Sequence, residues 1–156
     1  MISICRAERS DAETILELQK IAYESEARLY NDWSIPPLTQ SVASLLEDFE
    51  SHVILKAVQD GRIVGSVRAK VRNGKYVIGR LFVHPAYQGQ GIGSMLLGEI
   101  EKSAPASVSR CELFTGCRSE ANLRLYVRHG YTVTRTESLS LAVTLTFLEK
   151  PIGVAR

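Results

Sequence analysis

Apolar residues recur along this chain in two periods, and the switches between them mark its elements. Residues 1–6 read as a short strand. Ser10-Asp11-Ala12-Glu13 has the form of a capping box, which predicts a helix with Ile15, Leu18 and Ala22 on its inner face. Pro36 and Pro37 close the 31–37 segment to helix, because each removes a donor and restricts the residue before it. Thr39 is then a candidate cap for a second helix, striped by Val42, Leu45, Leu46 and Phe49. Beyond it the period changes to two. Residues 53–58 are an apolar run, and Asp60-Gly61 is a hairpin signal. Gly65, Val67, Ala69 and Val71 then alternate with Ser66, Arg68, Lys70 and Arg72, which predicts a strand with one wet face. Asn73-Gly74 is a second tight turn, leading into a strand over 76–83, so the middle of the chain is an antiparallel meander.

A loop over 84–90 precedes a helix with Ile92, Met95, Leu96 and Ile100 on one face, stopped by Pro105. A strand over 111–115 follows; strand-helix-strand of this length predicts a parallel pair with a right-handed crossover. Ser119 can cap a further helix that turns Leu123, Tyr126 and Val127 inward and ends at Gly130. Strands over 131–135 and 142–148 close the chain. There is no internal repeat or linker, and the expectation is one mixed α/β domain over 1–156.

Composition narrows the picture. In 156 residues, 45% are apolar and 23% charged, as in a globular protein with a real core. The net charge of +2 is small and the basic residues are dispersed, which argues against nucleic acid as a partner. No apolar run approaches the ~20 residues of a membrane span. The first residues lack a signal-peptide core, so a cytoplasmic protein is expected. Cys5, Cys111 and Cys117 have no paired spacing, and His52, His84 and His129 are scattered, so no metal is expected.

The stretch with the most chemistry is Gln88-Gly89-Gln90-Gly91-Ile92-Gly93, set between a strand and an amphipathic helix. Glycines at alternate positions leave backbone N–H groups free to converge on an anion, and the helix start adds unpaired amides. That is a phosphate cradle. A nucleoside-triphosphate loop would need Lys and then Ser or Thr after its last glycine, where this chain has Ser94 and Met95. A dinucleotide fingerprint would need glycine at position 94.

The Gln-x-x-Gly-x-Gly pattern of Gln88, Gly91 and Gly93 resembles the coenzyme A pyrophosphate loop of the GNAT superfamily of N-acetyltransferases. The surrounding strand, loop and helix over 81–97 resemble the family too, and Asn122 to Tyr131 is similar to its second hallmark. The resemblance covers nearly the whole chain. It implies an α+β fold: a mixed, mostly antiparallel sheet of about six to seven strands, with a splayed parallel pair and flanking helices.

It also implies roles. The cofactor would be acetyl-coenzyme A, its pantetheine arm paired with the backbone of Leu81 and Val83. The amides of Gln88, Gly89, Gln90, Gly91, Ile92, Gly93 and Ser94 would hold the pyrophosphate, and Asn122 the pantetheine chain or a water. Tyr126 would be the general acid that protonates the departing thiolate, since a phenol of pKa ~10 is protonated at neutral pH. The competing reading of Tyr126 is a core aromatic. A backbone amide near Phe82 or Val83 would receive the oxyanion.

The general base is open. Many family members carry a carboxylate near positions 79–80, where this chain has Gly79 and Arg80. Glu112 is one candidate; Glu26 and Asp32 are others. The acceptor wall would come from the first two helices and their connection, with Glu26, Tyr30, Asp32 and Trp33, and Trp33 reads equally as core cover. Arg80 favours an acceptor that also carries a carboxylate or phosphate. The acceptor would be the primary amine of a small molecule or a peptide. Two other readings share the fold: a non-catalytic acyl-coenzyme A sensor and a transferase of longer acyl chains. Monomer and homodimer both stay open, a dimer pairing through the last strand.

Overall fold

The computed structural model describes residues 1–152; the last four residues of the expected span 1–156 lie outside them. Seven strands are present: β1 (Ile2–Arg6), β2 (Val53–Gln59), β3 (Arg62–Arg72), β4 (Lys75–Val83), β5 (Arg110–Gly116), β6 (Thr132–Ser138) and β7 (Thr144–Pro151). They form one sheet in the order β1-β2-β3-β4-β5-β7-β6, antiparallel throughout except for β4 and β5. Helices α1 (Ala12–Tyr30), α2 (Pro36–Thr39) and α3 (Val42–Ser51) cover one face, and α4 (Ile92–Lys102) and α5 (Glu120–Arg128) the other. Both meander turns hold two residues in the left-handed region: Asp60 and Gly61 at φ 53° and 77°, Asn73 and Gly74 at 52° and 76°. Two such residues make the tight turn whose twist matches the strands it joins.

Several sequence expectations are corrected. The capping box lies two residues earlier than Ser10 and Glu13: the Glu8 amide donates to the Asp11 carboxylate at 2.8 Å, before a short 3₁₀ turn leads into α1. Ser41 rather than Thr39 caps α3, accepting from the Ser44 amide at 3.1 Å. Thr39 instead ends α2, a single turn that starts on Pro36, whose fixed φ suits a first helical position. Met95 and Val127 are exposed, while Leu97 is buried. The face of β3 expected to be wet is covered by α1 and α3, so Ser66 is buried and Arg68 pairs with Asp48 of α3. Strand β7 lies between β5 and β6, so the last strand offers no free edge and β6 is the edge instead.

One irregularity shapes everything that follows. On β4, Phe82 pairs with Ser66 and Gly79 with Arg68, so Arg80 and Leu81 together stand opposite Val67. This is a β-bulge, with Arg80 at φ 46°. An inserted residue reverses the alternation of side chains. Tyr76 and Ile78 therefore pack with Leu96, Leu97 and Ile100 on the α4 side, whereas Phe82 packs with Ile15, Leu16 and Leu45 on the α1 side. Gly65 accommodates the bent strand, because a Cβ there would stand 2.8 Å from the Phe82 carbonyl oxygen. The bend also parts β4 from β5. Only Lys75, Tyr76 and Val77 pair with Arg110, Cys111 and Glu112, and the rest of β4 has no partner on that side. β5 runs on with β7 to Gly116.

Candidate active site

The parted strands open a cleft of about 620 Å³. Its walls include Leu81, Phe82 and Val83 of β4, Ser25 and Glu26 of α1, and Ser119, Asn122, Leu125 and Arg128 around α5. At one end lies the glycine loop, which contributes Gln88, Gly89, Gly91, Ile92, Gly93 and Ser94. The loop is tied to the strand it follows. The Gln88 side chain donates to the Val83 carbonyl at 3.2 Å, and His84 Nδ1 accepts from the Ala86 amide at 3.0 Å. Gly89 and Gly91 both stand at φ 82°, a conformation that side chains disfavour. Gly91 caps α4, and the first hydrogen bond of the helix runs from Met95 to Gly91. The amides of Ile92, Gly93 and Ser94 therefore have no carbonyl partner within the helix. Ser94 also meets His129, Oγ to Nε2, at 3.0 Å.

A second cavity of about 210 Å³ lies beyond the bulge. Tyr30, Ile35, Pro36, Pro37, Phe114, Leu139, Val143 and Leu145 line it, with Arg80 and Tyr126. Tyr23, Glu26, Leu81 and Asn122 line both cavities and so mark where the two meet.

The polar groups at this junction have a fixed sense. A carboxylate only accepts, so the Ser119 hydroxyl donates to Glu26 at 2.8 Å. The Tyr30 hydroxyl, 2.7 Å from Ser119 Oγ, must then donate to it, and itself accepts from the Arg118 amide at 2.9 Å. Asn122, which lines both cavities, spends its amide hydrogens on Glu26 at 2.9 Å and Thr115 Oγ1 at 3.1 Å, and among the described residues its side-chain oxygen accepts from no donor. Gly116 makes room for this chain: a Cβ there would stand 2.0 Å from the Tyr30 hydroxyl.

Three phenols surround the junction. Burial pushes the Tyr23 hydroxyl up to about 12. Burial also raises Tyr30, against the pull of its hydrogen bonds to Ser119 and Arg118. Tyr126 is raised further, by burial first and then by its neighbours Tyr23 and Glu26. A raised phenol keeps its proton at neutral pH. Among the described residues the Tyr126 hydroxyl has no hydrogen-bond partner, so that proton is uncommitted.

Four expected residues lie elsewhere. Glu112 lines neither cavity: it sits where β4 and β5 still pair, bound by Lys75 at 3.4 Å and Arg135 at 3.2 Å. Asp32 is half-buried, lines neither cavity and is turned back on Ser34, whose hydroxyl and amide at 2.6 and 2.9 Å hold its carboxyl below the usual range. Trp33 is exposed, with the Arg28 guanidinium 5.9 Å from its ring. Gln90 is exposed and lines neither cavity. Tyr23 and Arg128 line the cleft without having been singled out from the sequence, and Ser119, expected only as a helix cap, turns its hydroxyl to Glu26. The signal for Tyr23 was present, since Tyr23, Glu26 and Tyr30 follow the i, i+3, i+7 spacing of one helix face.

Residues 12–131 match the model of the acetyltransferase (GNAT) family. No curated protein sequence matches the chain. Among solved structures, the PaiA N-acetyltransferase of Thermoplasma acidophilum, in complex with coenzyme A, is similar at a TM-score of 0.79 and 21% identity, covering 97% of this chain and 99% of its own. A GNAT superfamily phosphinothricin acetyltransferase of Sinorhizobium meliloti, in complex with acetyl-coenzyme A, is similar at 0.77 and 17%, covering 99% of this chain and 91% of its own.

Proposed function

The chain belongs to the GNAT acetyltransferase family, and on that premise we propose that residues 1–156 act as one N-acetyltransferase domain, moving the acetyl group of acetyl-coenzyme A directly to a primary amine in a ternary complex. The observation that carries this reading is the meeting of two cavities of different character at Tyr23, Glu26, Leu81 and Asn122, with the uncommitted Tyr126 hydroxyl beside them. The cleft fits the cofactor: a loop of free amides at a helix start faces one end, and an unpaired strand edge runs along its wall.

Bound there, acetyl-coenzyme A supplies an acyl thioester as electrophile. The loop residues that line the cleft, Gln88, Gly89 and Gly91 to Ser94, would hold its pyrophosphate, and the free edge of Leu81–Val83 would take the pantetheine arm as an added strand. The carbonyl oxygen of Asn122 is available to the same arm. One amide of that free edge would receive the developing negative charge.

The chain's residues then manage two protons. An amine of pKa ~10 arrives mostly as ammonium and cannot attack until it loses a proton. Glu26 is the carboxylate at the junction and would take it, while Ser119 and Asn122 fix its orientation. Tyr126 would give its proton to the thiolate as it leaves. Burial favours the neutral phenol, so the donor form is the resident one.

Calorimetric titration tests the cofactor half of this reading. Acetyl-coenzyme A is expected to bind one site per chain. Gly91→Val should weaken it at least ~10-fold, because a β-branched residue at φ 82° costs ~1–3 kcal/mol and would distort the loop. Undiminished affinity in a variant that melts like the parent would contradict the assignment of the loop.

A further inference from the structure

The second cavity holds a charge without a partner. Arg80 lines it from the bulge, and its Nε is buried with no hydrogen bond. Among the described residues no carboxylate forms an ion pair with it. The nearest acids are engaged elsewhere: Asp48 pairs with Arg68 and also accepts from Gln40 Nε2 at 2.6 Å, and Glu26 is bound by Ser119 and Asn122. Burial and then Arg68 work against the charge on Arg80, and Tyr23 and Asp48 offset part of that without bonding to it. A guanidinium stays protonated in a protein, so the half-buried Arg80 presents its charge to whatever occupies the cavity. The backbone adds a cost, since Arg80 stands at φ 46°, where a residue other than glycine is strained.

The rest of the wall limits what can bring the anion. Ile35, Pro36, Phe114, Leu139, Val143 and Leu145 are apolar, and the cavity of about 210 Å³ is much smaller than the cleft of about 620 Å³. A peptide chain or a polyamine would set either a bulky or a second cationic group against Arg80.

We infer that the acceptor is a small zwitterionic amine, whose amino group meets the thioester at the junction while its single oxyanion, carboxylate or phosphoryl, is bound by Arg80. The inference rests on the reading of this cavity as the acceptor site, and deepens it from amine to amine with an oxyanion. Arg80 is then a specificity-determining residue. Its planar fork suits either oxyanion, and its position on the bulge sets it beside Leu81, which lines both cavities.

The test measures binding apart from turnover. The coenzyme A-saturated protein is titrated with glycine, leucine and 2-aminoethylphosphonate, and with their neutral counterparts glycinamide, leucinamide and ethanolamine. At least one oxyanion-bearing amine should bind about 30-fold or more tightly than its counterpart, as expected for a buried charge pair. The carboxylate and phosphonate arms tell which oxyanion the cavity takes. In Arg80→Gln that ratio should fall to within about threefold of one, and Arg80→Lys should keep part of it. Melting temperature and coenzyme A affinity identify a variant that has merely lost its fold. Equal affinities across every pair, or no binding by any zwitterion, would overturn the inference, and so would a ratio that survives in Arg80→Gln. Selective binding without acetyl transfer would leave this subsite standing and contradict the transferase reading alone.

Discussion

Replacing Tyr126 by Phe should lower kcat by ~10²–10⁴-fold, the range for losing a positioned acid, while acetyl-coenzyme A affinity changes by less than about twofold. The substitution removes one oxygen and keeps the ring, which packs beside Tyr131 with centroids 6.1 Å apart. No hydrogen bond among the described residues is lost with that oxygen. The fold therefore has little reason to respond, and any large effect must come from the reaction. The sign of the pH dependence follows. Because burial raises the hydroxyl, Tyr126 stays protonated through neutral and moderately alkaline pH, and no alkaline fall in kcat below pH ~10 should originate from it. Equal losses in turnover and cofactor affinity would make Tyr126 a packing residue.

Glu26→Gln should cost about 10²-fold in kcat/KM and change how the rate responds to pH. The amide keeps the size of the carboxylate and can still accept from Ser119 or Asn122, so melting should shift little. It cannot accept the proton of an ammonium. The variant then depends on amine already free in solution, whose share grows tenfold per pH unit until the amine's own pKa. Its rate should climb with pH well beyond the point where the parent levels off. If the two pH profiles coincide, Glu26 only orients its neighbours and the amine loses its proton elsewhere.

How much of this the sequence disclosed depends on whether a feature is local. Asp60-Gly61 and Asn73-Gly74 announced both hairpins because their backbone needs are met within two residues. The glycines from 89 to 93 announced a loop of left-handed backbone opening α4 for the same reason. The bulge gave no such notice: Arg80 and Leu81 oppose Val67 only through a register between distant strands. The fate of Glu112 was hidden likewise, since its pairing level with Val77 puts it where the strands have not yet parted. Alternation tells which face a residue takes but not which strand lies beside it, so the position of β7 inside the sheet was illegible. The family resemblance points to Glu26, Tyr30, Asp32 and Trp33 alike, but only the side chains that follow the helical period within α1, Tyr23, Glu26 and Tyr30, line the cavities.

Transfer of an acetyl group to an amine is measured most directly by following free thiol from acetyl-coenzyme A as small zwitterionic amines are added, with the acetylated product weighed by mass spectrometry. Thiol release should depend on the amine and match the N-acetylated product mole for mole. Tight binding of acetyl-coenzyme A with no amine-dependent thiol release would contradict it, and would favour a protein that senses the acyl-coenzyme A it holds.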